Sequence, residues 1–164
     1  MKNRIYTFNF GTLLFMALLL CTVSLYAQTP TKNYIFVQEP VDPVTTIDTN
    51  TDAIRSVQYF DGLGRSEQSV SVKATPDGKD IVTKIEYDGF GRQTKDYLPV
   101  PVSQSNGNFI NPANITGNYY QTNYTQSVWY SEKTIENSPL NRVLAQAAPG
   151  DVWEKGGGHE FEFE

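Results

Sequence analysis

At 164 residues the chain has the length of one ordinary domain, and its formal net charge of −5 excludes a basic surface made for nucleic acid or for an anionic membrane. One cysteine excludes an intrachain disulfide framework. The single histidine, His159, leaves any zinc site or catalytic triad to be built around it alone.

The N-terminus has the layout of a secretory signal peptide. Lys2 and Arg4 supply the positive start, residues 13–20 form an uncharged apolar core, and Leu25-Tyr26-Ala27 offers a small-residue cleavage site before Gln28. The apolar core is shorter than the roughly 20 residues of a spanning helix. Leu20 before Cys21 is a poor match to the small residue that precedes a lipidated cysteine. Cleavage after residue 27 removes Cys21 and leaves 137 of the 164 residues. It also removes Lys2 and Arg4 from the 13 basic residues, so 11 face 18 acidic ones and the net charge becomes −7. The expectation is an exported chain, in the medium, on the cell surface or in a periplasm, with no membrane span after cleavage.

Residues 28–53 carry Pro30, Pro40 and Pro43 and read as an extended linker or sheet edge, with a short strand at Tyr34-Ile35-Phe36-Val37. Residues 54–164 read as the main domain. In it, residues 54–60 form a strand with Val57 and Tyr59 on one face, and residues 65–74 return with Val70 and Val72 alternating against serines. Thr75-Pro76-Asp77-Gly78 marks a turn. A third strand follows, with Ile81, Thr83, Ile85 and Tyr87 on one face and Lys84 and Glu86 on the other; residues 92–98 make a fourth, closed by Pro99 and Pro101. Residues 103–117 read as a polar, Asn-rich loop, and residues 118–130 fit a short helix or a strand equally. Residues 130–136 and 143–147 read as a further hairpin. Phe161 and Phe163 alternate with Glu160, Glu162 and Glu164 in a half-buried strand pattern that the chain leaves unfinished, so a longer protein is expected to continue from it. The fold class is therefore all-β, built of short antiparallel hairpins with one irregular excursion.

A repeat runs through this pattern. Tyr59-Phe60-Asp61-Gly62-Leu63-Gly64-Arg65 matches Tyr87-Asp88-Gly89-Phe90-Gly91-Arg92 with one residue deleted. The candidate structural residues are Asp61, Gly62, Gly64 and Arg65 in the first copy and Asp88, Gly89, Gly91 and Arg92 in the second. Aspartate caps a turn through its side-chain oxygen, and glycine reaches positive φ without penalty. The apolar residue between the glycines is expected to fold back on the strands, and the arginine to cover an aromatic ring or pair with the aspartate. Ser138-Pro139-Leu140-Asn141-Arg142-Val143 reads as a third, degenerate copy, with Asn141 where glycine stood.

At these residues the chain resembles the YD-repeat family of Rhs proteins, toxin-complex shells and teneurins. Over residues 33–158 it looks closer still to an uncharacterised domain that precedes the YD repeats in secreted Rhs-like proteins of Bacteroidetes. The segments YFDGLGR, TPDGKDIVTKIEYDGFGRQTKDYLP, YSEK and SPLNRVLAQAAPG carry the resemblance. It implies a β-structured start for a spiral of hairpins, with the downstream repeats of the same polypeptide as the partner. It transfers no activity, because neither a C-terminal toxic domain nor the self-cleaving core motif is present.

Other candidate chemistry is thin. Asp61 and Asp88 occupy equivalent turn positions, so capping accounts for both without catalysis. Asp77-Gly78-Lys79-Asp80 has too few oxygens for a calcium loop. Gly156-Gly157-Gly158 lacks the lysine and the strand-to-helix context of a phosphate loop. The sequons at Asn114 and Asn123 are expected by chance in an Asn-rich stretch. No catalytic residue, metal ligand or cofactor is assigned. Two rival functions stand beside the structural one: a carbohydrate- or surface-binding module using Tyr119, Tyr120, Trp129 and Tyr130, and a hydrolase, last for want of a nucleophile–base pair. Exposed coplanar aromatics would favour the former, and a buried carboxylate pair the latter.

Overall fold

A computed structural model describes residues 31–48 and 51–163; the expected signal peptide, with Cys21 and its cleavage site, lies outside them, as does Glu164. The strands are β1 (Asn33–Pro40), β2 (Ala53–Phe60), β3 (Ser66–Val72), β4 (Ile81–Lys84), β5 (Lys95–Tyr97), β6 (Val100–Pro101), β7 (Tyr130–Ile135), β8 (Val143–Ala147) and β9 (Phe161–Glu162). Among the described residues one α-helix, α1 (Asn118–Tyr124), and two single-turn 3-10 helices, Pro112–Asn114 and Asp151–Trp153, interrupt them. The strands form a five-stranded sheet, β1-β2-β3-β4-β6, and a four-stranded sheet, β5-β7-β8-β9, with every pairing antiparallel. The all-β expectation holds.

A hairpin joins the two sheets. Ile85 bridges Asp96, while Val82 and Ile81 pair with Val100 and Pro101. One strand thus has an extra residue between these pairings, and the bulge falls where Leu98 and Pro99 bend the chain. The fourth strand is consequently shorter than the expected 92–98. Its well-paired part, β5, leaves the first sheet and bonds to β7.

Alternation decides which side chains are buried. Val57 and Tyr59 of β2, Val70 of β3, Val82 of β4 and Val100 of β6 are at most 2% exposed and form one cluster with Ile115 and Trp129. Burying each valine contributes about 1.5–3 kcal/mol. The core face of β4 is the one opposite to expectation. Val82 stands across from Val70, which is in the core, so Ile81 and Thr83 are turned the other way.

The Asn-rich excursion covers this core. Tyr59 Oη donates to Gly107 C=O at 2.7 Å, and the Gln68 side chain exchanges two hydrogen bonds with the Ile110 backbone, at 2.9 and 3.0 Å. Asp80, fully buried, accepts from the backbone N–H groups of Lys73 and Gly107. Three buried polar side chains therefore fasten a segment that has almost no regular structure of its own. Residues 118–124 settle as helix, and Trp129 is buried at 7% exposure. At the C-terminus β9 does have a partner, β8, but Phe161 and Phe163 remain 71% and 52% exposed rather than half-buried.

Candidate functional site: the stacked turns

The two best copies of the repeat make the same turn, atom for atom. Asp61 Oδ1 accepts from the N–H groups of Leu63 and Arg65, each at 2.9 Å, and Asp88 Oδ1 accepts from those of Phe90 and Arg92 at the same distances. Gly64 N–H donates to Asp61 C=O and Gly91 N–H to Asp88 C=O. Both glycines have φ of 78°, where a side chain is disfavoured. Gly62 and Gly89 do not need that freedom. Each arginine closes its turn with Nε and Nη2 on the aspartate Oδ2 at 2.8 Å. The Arg65 backbone N–H bond, then the Arg65 side chain, outweigh burial and hold the Asp61 carboxyl below its ordinary range; Arg92 does the same for Asp88.

The third copy divides the aspartate's work between two residues. Ser138 takes the turn: its Oγ accepts from Leu140 N–H and its C=O from Asn141 N–H. Glu136 takes the arginine, whose Nε and Nη2 reach both carboxylate oxygens at 3.0–3.1 Å. Arg142, followed by Ser138, pulls the Glu136 carboxyl down to about 2. Asn141 stands at φ 53°, in the left-handed place of Gly64 and Gly91. Sequence comparison found Ser138 and Asn141 but not Glu136, which lies two residues ahead of the aligned motif.

Topology brings the three turns together. They join β2 to β3, β4 to β5 and β7 to β8, so all lie at the same end of the strands. The Arg65 guanidinium sits 4.4 Å from the centre of the Tyr87 ring, in the second copy, and Arg92 Nη1 donates to Asn141 of the third at 3.0 Å. Arg65 and Arg92 thus each neutralise the carboxylate of their own turn and touch the next turn. The apolar tips do not fold back on the strands. Leu63, Phe90 and Leu140 are 80%, 82% and 72% exposed, because the left-handed glycine or asparagine that follows swings the chain home without them.

A second cluster, unforeseen from sequence, holds the hinge between the sheets. Lys84 lies over Tyr97 at 4.1 Å and near Trp129 at 5.3 Å, and its Nζ donates to Glu86. Tyr97 Oη also donates to Glu86, at 2.6 Å. Burial, then Glu86, pushes the Tyr97 hydroxyl well up; burial opposes ionisation of Glu86, but the Lys84 and Tyr97 bonds overcome it. The alternation of Lys84 and Glu86 was visible, but the bend that brings Tyr97 to them was not.

The remaining candidates stay apart. His159 packs against Trp153, with ring centres 5.1 Å apart. Asp77 pairs with Lys79, while Asp80 points inward to backbone N–H groups. Among the described residues no three histidine, cysteine or carboxylate side chains are grouped to hold a metal. No described helix is long and apolar enough to cross a membrane. Of the aromatic set, Trp129 is buried and stacks on Tyr120 at 6.3 Å, and Tyr119 stands at 88° to Tyr120, so these rings form no open, coplanar platform.

The fold and its site define an all-β domain of antiparallel hairpins pinned by stacked Asp–Arg turns. Residues 34–164 match a family described as a domain of unknown function (DUF6443), and the chain belongs to that family. No curated protein and no solved structure matches it.

Proposed function

We propose that this chain is a non-enzymatic structural module of an exported Rhs-like protein, forming the start of a shell of YD repeats. The observation that carries this reading is the stacking of three turns, two alike and one a variant, through Arg65 on Tyr87 and Arg92 on Asn141. A turn whose arginine is built to touch the next turn is a unit made for serial addition, and such units gain stability from neighbours. The outer edge of β9, with exposed Phe161 and Phe163 beside it, is where the next hairpin joins. The carboxylates of the turns are occupied by their own arginines and backbone, which suits architecture rather than proton transfer.

The test compares thermal melting of this chain with that of a longer chain carrying the residues that follow Glu164 in its reading frame. The longer chain should melt higher, with the amide of Glu162, which faces away from β8, newly protected from exchange. Equal melting temperatures and an unprotected Glu162 amide would overturn the reading.

A surface-binding role is the second reading. A groove of about 410 Å³ is lined by Tyr120, Tyr124, Val152 and Trp153, and Tyr124 and Trp153 are 60% and 47% exposed. Exposed aromatics on a groove suit sugar rings. Glycan binding lost on Tyr124→Ala and Trp153→Ala would raise this reading above the first.

A further inference from the structure

β1 is the first margin of the five-stranded sheet, and among the described residues no strand pairs with its outer edge. The phase of its hydrogen bonding is fixed by Val41, whose N–H bonds to the C=O of Asp52 at 3.0 Å, one step beyond the Pro40–Ala53 pair. Residues of an antiparallel strand alternately bond to their partner and face away from it. Asn33, Ile35, Val37 and Glu39 therefore turn to β2, while Tyr34, Phe36 and Gln38 present N–H and C=O outward. Pro40 holds the next outward place and has no N–H, so the bonding edge stops there.

We propose that this edge pairs with itself, joining the five-stranded sheets of two copies across a two-fold axis at Phe36. In the antiparallel register that sets Phe36 opposite Phe36, Tyr34 faces Gln38 of the second copy, and all six outward N–H groups meet outward C=O groups. In this register Lys32, which is held by Glu67 of its own chain at 2.7 Å, falls opposite Pro40 and diagonal to Asp42 of the second copy, whereas a parallel arrangement would set Lys32 beside Lys32. The side chains match as well. Ile35 and Val37, 56% and 40% exposed, come beside their counterparts on one face, and Phe36, 39% exposed, on the other. No charged residue interrupts residues 33–38, so the edge lacks the usual guard against pairing. The edge belongs to the five-stranded sheet, not to the sheet of β9, and does not depend on the continuation proposed above.

Sedimentation of the full chain over a hundredfold concentration range tests this. The chain should form a concentration-dependent dimer. Gln38→Pro, which removes an outward N–H and leaves the bonds to β2, should be monomeric with an unchanged melt, and Phe161→Lys should still dimerise. A monomer at every concentration, or a dimer that survives Gln38→Pro, would overturn the proposal. Should the proline variant not fold, amide exchange of the unaltered chain decides. Protection of Phe36 and Gln38 that rises with concentration supports the pairing, and fast exchange at all concentrations overturns it.

Discussion

Arg92 and Asn141, 49 residues apart in sequence, are joined by a hydrogen bond of 3.0 Å from Nη1 to Oδ1. The same guanidinium holds Asp88 through Nε and Nη2, so one side chain closes its own turn and fastens the next. Only a planar fork with several fixed donors does both, and a lysine ammonium does not. Asn141 is equally double in role: its side chain receives the arginine while its backbone occupies the left-handed position.

The turn glycines are therefore unequal. Gly91→Ala forces a side chain on φ 78° and sets its Cβ 3.1 Å from Arg65 Nη1, so a loss on the order of 1 kcal/mol or more is expected. Gly64→Ala has the same φ in open space and should cost somewhat less. Gly89→Ala meets nothing within 4 Å and has no positive φ, so it should be neutral or stabilise by up to about 1 kcal/mol. Equilibrium denaturation of the three variants gives the order; a common midpoint would refute it.

The apolar tips should contribute little to folding. Leu63→Ser and Phe90→Ser alter side chains about four-fifths exposed, and each should shift stability by no more than about 0.5 kcal/mol. Val70→Ala, at a fully buried position across from Val82, should cost about 2 kcal/mol by comparison. Urea midpoints for the set check the contrast.

Acid should loosen the turns. Glu136 has an ordinary carboxyl value of 4.5 in the unfolded chain and about 2 when folded, where Arg142 holds it. A depressed folded value favours the native state above pH 4.5, and that contribution fades as the pH falls toward 2. Asp61 and Asp88 act in the same sense below their ordinary 3.8. Stability measured from pH 6 to pH 2 should decline over this window, and Glu136→Gln should flatten part of the fall. A Glu136→Gln profile parallel to that of the unaltered chain would show the Arg142 pair to be irrelevant.

What sequence made legible was local. Asp61, Gly64 and Arg65 are neighbours along the chain, and the chemistry of aspartate and glycine specifies their turn without reference to the rest of the fold. Contacts that depend on registry between distant segments were not legible. Val82 faces the core because of its pairing with Val70, and a four-residue strand has too few alternations to choose a face. Residues 103–117 read as a free loop because the side chains that bind their backbone, Tyr59, Gln68 and Asp80, lie far away in sequence. The aromatic tally around Trp129 was equally silent about burial, since a core tyrosine and a sugar-binding one have the same sequence signature.

Export is tested at the N-terminus. The charge pattern of Lys2 and Arg4, the apolar residues 13–20 and Ala27 predicts a mature chain that begins at Gln28. Terminal sequencing of protein recovered from the envelope or medium should read Gln-Thr-Pro-Thr. An intact Met1 there, or a lipid on Cys21, would contradict it.

Gln68 is the side chain on which the irregular cover most depends. It is fully buried, and both ends of its amide bond to the Ile110 backbone, Nε2 to C=O at 2.9 Å and N–H to Oε1 at 3.0 Å. Gln68→Leu keeps the volume but leaves a backbone donor and an acceptor without their partners, at about 1–3 kcal/mol each. A total loss of about 2–5 kcal/mol is expected. The loss should also be localised. Tyr59 and Asp80 still hold Gly107, so amides around Ile110 should exchange faster while those of β7 and β8, bonded to each other in the second sheet, keep their protection. Hydrogen exchange resolves the two regions. Uniform loss of protection across both sheets would mean that the cover and the hairpins unfold as one unit, and unchanged exchange near Ile110 would remove Gln68 from its anchoring role.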